Sequence, residues 1–231
     1  MNSGYALLVI LCLGALYSIW INLKAIGNNP FRLLSVACTI ALVFSAWRYI
    51  TLMIYGDSPS YGQMVALRGF YYSTSIGLGI TMVSAVWYAI PLYREKIKYP
   101  YYLGAFLPWF LFYLYILIKQ PTRIMQGESF GYVLVLVKPF PTYLGLMQGS
   151  FVLIIILLCC IGLLRYKHIQ IRVQMCVMII SQLMLAIDGL GYLKARHNSI
   201  PPFTLSEAFA FFAIYYIFSK PIKEIKGICK Q

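Results

Sequence analysis

The sequence predicts an all-α membrane protein, a seven-transmembrane helix bundle with its N-terminus outside and its C-terminus cytoplasmic. Three observations carry that prediction. The 231 residues are 61% apolar and 11% charged, with mean hydropathy +0.77, against about 45–50% and about 25% in an ordinary soluble domain. The apolar residues gather into runs close to the ~20 residues that cross a bilayer. The cations fall unevenly on alternate connections between those runs. Disorder is excluded by the hydropathy. Collagen-like and low-complexity chains are excluded by only 17 Gly and 11 Pro. Seven spans take about 140 residues, and the remainder is too small for a water-soluble catalytic domain.

The expected spans are residues 4–23, 33–55, 66–93, 99–118, 144–165, 171–193 and 203–219. The third is long, and its first turn, with Arg68, is expected in the headgroups. Pro108 is expected to kink the fourth. Residues 1–220 form one bundle, and 221–231 a short basic cytoplasmic tail.

The formal charge of +13 comes from 19 Lys and Arg against 6 Asp and Glu. Placed on the spans, it is a topology signal. One set of alternate segments carries Lys24 and Arg32; Arg94, Lys96 and Lys98; Arg165, Lys167 and Arg172; and Lys220, Lys223, Lys226 and Lys230. The other carries Arg68; Lys119, Arg123 and Lys138; and Lys194 and Arg196. Twelve cations against six put the first set in the cytoplasm, and nucleic acid is not needed to explain the charge. The partner of this surface is the lipid bilayer. Lys24 follows the first run and no cation precedes it, the reverse of a cleaved signal peptide, so an uncleaved first span is expected. The six cysteines fall in spans or tail, so no outer disulfide is expected.

Cytoplasmic connections are short and imply antiparallel neighbours. The outer connection 119–143 is the exception. Gly127 and Ser129 are turn residues, and the stretch 132–137, Tyr-Val-Leu-Val-Leu-Val, is strand-prone. A hairpin lid over the outer mouth and an irregular loop on the headgroups are both compatible with it.

Ionisable residues inside membrane spans are costly and are functional candidates by default. Arg48, Arg68, Asp188 and Glu207 all fall toward the outer face, where they could pair or line a pocket. Each also has a structural reading. Thr204-Leu205-Ser206-Glu207 matches a helix capping box after Pro201-Pro202. Arg68 can snorkel to headgroups. Arg48 and Asp188, which lie deeper, can each take part in a structural salt bridge or snorkel. Trp109, with Phe110, Phe112, Tyr113 and Tyr115, either lines a pocket from the fourth span or packs against core and lipid.

Catalytic templates fail. His168 and His197 fall on opposite faces, so paired haem ligands are unavailable, and no HExxH, Walker or dinucleotide motif occurs. The seventh run has no Lys for a retinal linkage. The expectation is no enzyme, no metal and no cofactor. A small-solute transporter is the main alternative. Against it, the first, second and fifth runs lack the prolines of small seven-helix sugar carriers, and no repeat relates the first and last three.

One resemblance emerges. Ala46-Trp47-Arg48-Tyr49 in the second run is followed by a short outer loop and an amphipathic approach to the third. The stretch 132–140 leads into the fifth. Arg165-Tyr166-Lys167-His168-Ile169-Gln170-Ile171-Arg172 separates the fifth and sixth, and Pro202-Phe203-Thr204-Leu205 opens a seventh that ends in Phe218-Ser219-Lys220. Over roughly residues 40–220 this resembles the seven-transmembrane N-terminal sensor region of bacterial histidine kinases. Lys138-Pro139-Phe140-Pro141 replaces that family's usual glycine-containing turn. The resemblance implies a plasma-membrane sensor, in a bacterium the inner membrane, that binds a small molecule on its outer side. That family continues into a kinase or other signalling domain, whereas this chain stops 11 residues after Lys220. Output is therefore expected through a separate cytoplasmic or membrane signalling protein. The expected ligand-binding residues are Arg48, Arg68, Asp188, Glu207 and Trp109.

Overall fold

Where the apolar runs carry no proline beyond their first turn, they fold as single helices. In the structure, a computed structural model that describes residues 3–56, 58–126, 132–189 and 204–220, these are α1 (Ser3–Gly27), α2 (Arg32–Tyr55), α8 (Phe140–Arg165) and α9 (Ile169–Gly189). Their 25, 24, 26 and 21 residues exceed the ~30 Å apolar thickness of a bilayer at about 1.5 Å per residue. Each is apolar enough to cross it. Their outward faces carry exposed apolar side chains such as Ile10, Ile40, Leu153 and Leu164, which water would disfavour and lipid accepts. The protein is a helical, multi-pass membrane protein.

Proline interrupts two of the other runs. The expected span 66–93 is divided into α3 (Tyr61–Leu67), a 3-10 turn (Phe70–Tyr72), α4 (Ser73–Ala89) and α5 (Pro91–Lys96). Pro91 has no N–H for the carbonyl four residues back, so the helix restarts there with proline in its first turn. The expected span 99–118 is α6 (Tyr99–Ala105) and α7 (Leu107–Lys119), bent by 58°. The break falls at Phe106, two residues before Pro108, because the Pro108 ring excludes the carbonyl of Gly104 from the helical ladder. The last described helix, α10 (Thr204–Ser219), has 16 residues.

Between α7 and α8 the chain forms two antiparallel strands, β1 (Thr122–Gln126) and β2 (Tyr132–Leu136), with Thr122 opposite Leu136 and Gln126 opposite Tyr132. The turn at Gly127 and Ser129, the Pro201-Pro202 pair, His197 and the tail 221–231 lie outside the described residues.

The helix α4 is the hub. It packs against α2, α7, α8, α9 and α10, while α8, α9, α10, α1 and α2 touch in that order around it. All residues from Thr81 to Ile90 are buried. Gly77 lets α4 reach α2: a Cβ there would collide with the Ala41 carbonyl oxygen and the Ser45 hydroxyl. Polar side chains lock the arc. Asn22 on α1 donates to the Phe211 carbonyl of α10 at 3.0 Å, and Gln174 on α9 to the Lys220 carbonyl at 2.9 Å. These bonds satisfy groups that lipid cannot. The five described cysteines are free.

Candidate functional site

The second, ninth and tenth helices bring three ionisable side chains to one end of the bundle. Arg48 projects from α2, whose register buries Ser45, Arg48, Tyr49 and Leu52 on one side. Glu207 lies one turn into α10 and Asp188 one residue before the end of α9. All three are buried.

Arg48 Nη1 stands 3.4 Å from Glu207 Oε1. Tyr49 donates its hydroxyl to the other carboxylate oxygen, Oε2, at 2.6 Å. Both oxygens of Glu207 are thus engaged by α2 in the bundle interior. Helix α10 already includes Thr204, and the Glu207 carboxylate is turned to α2. The Arg48 guanidinium also faces the Tyr71 ring at 5.4 Å and reaches the Tyr71 carbonyl at 3.5 Å. Asp188 Oδ2 accepts from the Ser206 hydroxyl at 2.7 Å, which links α9 to α10 beside the ion pair.

These charges face a cavity of about 400 Å³, within the size range of small-molecule sites. Its walls come from α2, the turn Phe70–Tyr72, α4, α7, the strand β2, and α8 to α10. Tyr71, Tyr72, Phe110, Tyr113 and Phe151 supply rings, Leu134–Leu136 the hairpin's contribution, and Gln148 and Gln182 amides. The hairpin is anchored beside it by Leu134, which packs with Tyr55 and Met64.

Arg68 and Trp109 do not line this cavity. Arg68 is half-buried at the end of α3, where its Nε donates to the Gln120 side chain at the foot of the hairpin. Trp109 donates from Nε1 to Ser150 Oγ at 3.0 Å and packs on Phe106 and Phe151, tying α7 to α8. Its neighbour Phe110 and Tyr113, one turn on, reach the cavity instead. Four participants carried no distinct signal in the sequence as partners: Tyr49, Tyr71, Gln182 and Ser206. Gln182 was visible only as an amide inside an apolar run. No protein-family model matches this chain, and no curated protein is significantly similar to it.

Proposed function

We propose that this protein is a receptor-like membrane sensor that binds a small ligand in the outer half of a seven-helix bundle and signals through a separate partner. In this reading α1, α2, α4–α5, α6–α7, α8, α9 and α10 are the seven spans. The N-terminus is outside, in the plasma membrane. The observation that carries the reading is the cavity lined together by Arg48, Asp188 and Glu207. Ionisable groups inside a membrane bundle are functional candidates by default, and here three gather at a void of small-molecule size.

The three side chains come from α2, α9 and α10, so a ligand touching them alters the relative packing of those helices. The far ends of α9 and α10 are joined by Gln170 and Gln174, which both donate to the Lys220 carbonyl. A shift between the helices therefore reaches the cytoplasmic end, where a signalling protein would read it. Arg68 positions the hairpin through Gln120, and Trp109 positions α7. A metabolite-wide thermal-shift screen on purified protein tests the reading. Arg48→Ala and Asp188→Ala should each weaken any ligand found by tenfold or more, and unchanged affinity in both would remove the site assignment.

A small-solute transporter is the second reading. It is favoured by the 58° bend between α6 and α7 and by the break at Ile90, since transporters build their sites from discontinuous helices. Counterflow of a solute into proteoliposomes would select it.

A further inference from the structure

We infer that the cavity takes a small organic cation with an apolar or aromatic body, a protonated amine. The inference rests on the small-ligand reading above and adds the chemical class. Three observations converge on it.

The first is charge. Among the described lining residues the groups that carry charge at neutral pH are one guanidinium and two carboxylates. Arg48 is paired with Glu207. Asp188 is buried and makes no ion pair among the described residues, and its recorded partner is the neutral Ser206 hydroxyl. A carboxylate offers about four acceptor positions, and a buried one without a counter-charge is costly. A cationic ligand supplies that charge, whereas an anion would face two carboxylates.

The second is an unused acceptor. Gln182 is fully buried and lines the cavity, and its Oε1 has no hydrogen-bond partner among the described residues. Its Nε2 is turned to the Met82 sulfur at 2.8 Å. Buried amide oxygens are normally satisfied, so this oxygen is a place for an N–H donor. It is independent of the acidic pair.

The third is the wall. Tyr72, Phe110 and Tyr113 present rings to the void, and aromatic faces attract cations more strongly when desolvated. At about 30 Å³ per water-sized group, the cavity of about 400 Å³ accommodates a ligand of roughly a dozen non-hydrogen atoms.

The test uses the full chain in lipid nanodiscs and three probes of similar body: 2-phenylethylammonium, 2-phenylethanol and 3-phenylpropanoate. Calorimetric titration, with empty nanodiscs subtracted, should show saturable binding of 2-phenylethylammonium at least tenfold tighter than either other probe. Asp188→Asn keeps an oxygen to accept from Ser206 and removes the charge, so it should erase most of that preference at an unchanged melting temperature. Phe110→Leu, which keeps an apolar side chain and removes the ring face, should lower the cation's affinity about three- to tenfold and the alcohol's by less. It serves as the test if Asp188→Asn does not fold. Tighter binding of the alcohol or the carboxylate overturns the cation assignment and leaves the small-ligand reading standing. If none of the three binds, cationic hits in the metabolite screen support the assignment and neutral or anionic hits overturn it. No hit of any charge overturns both.

Discussion

Arg48 Nη1 and Glu207 Oε1 meet at 3.4 Å with their side chains only 4% and 5% exposed, so the second and last described helices are joined through opposite charges inside an apolar bundle. Breaking such a pair strands a charge where neither water nor lipid can solvate it. Glu207→Gln should destabilise the protein by about 3–5 kcal/mol, read as a lower melting temperature in detergent. Replacing both partners, as Arg48→Met with Glu207→Leu, should recover most of the loss, because apolar packing can substitute for a buried pair. A double variant as unstable as the single one would mean that the pair supports the fold through contacts other than charge.

Close approach of α4 and α2 depends on one hydrogen atom in place of a methyl. Gly77→Ala should cost about 1–3 kcal/mol, because the new Cβ meets the Ala41 carbonyl, which cannot rotate away. Gly14→Ala is the control. Nothing lies within 4 Å of a Cβ there, and its effect should stay within about 1 kcal/mol. Thermal unfolding of the two variants side by side checks the contrast.

Among the described side chains of the two strands, Leu134 is the buried one. Leu134→Ala should release it from Tyr55 and Met64. Amide hydrogen exchange over Thr122–Gln126 and Tyr132–Leu136 should then quicken at least tenfold while exchange in α4 stays unchanged. Equal acceleration in α4 would show that the hairpin is part of the global fold.

Orientation is tested by thiol labelling of intact cells. Ser58→Cys, in the exposed connection after α2, should react with a membrane-impermeant maleimide. Lys96→Cys, exposed at the end of α5, should react only after permeabilisation. The opposite pattern would invert the N-outside assignment.

Much of this was legible because helices in lipid announce themselves by length and hydropathy. Runs such as 33–55 and 144–165 map onto α2 and α8 with end shifts of a few residues. The breaks were less legible. The kink at Pro108 was readable from the proline itself and appears as the 58° bend, whereas the break at Pro91 was not, because the apolar run continues across it and hydropathy does not register a missing N–H. Arg48, Asp188 and Glu207 were marked by the cost of burying charge, and the structure places all three at one cavity. Arg68 carried the same mark yet lies with Gln120, since its helix ends before the cavity begins. The Tyr49 hydroxyl on Glu207 depends on the relative rotation of two helices 158 residues apart, which no local pattern encodes.

The central claim is that a small ligand occupies the cavity between Arg48, Asp188 and Glu207. Gly145 lines that cavity, and a Cβ on it would meet nothing within 4 Å, so Gly145→Trp introduces an indole there without disturbing packed backbone. The decisive measurement is binding of the metabolite with the largest thermal shift to this variant and to the unaltered protein. The account predicts at least a hundredfold loss of affinity with the melting temperature maintained. Unchanged affinity in a folded Gly145→Trp protein would contradict it.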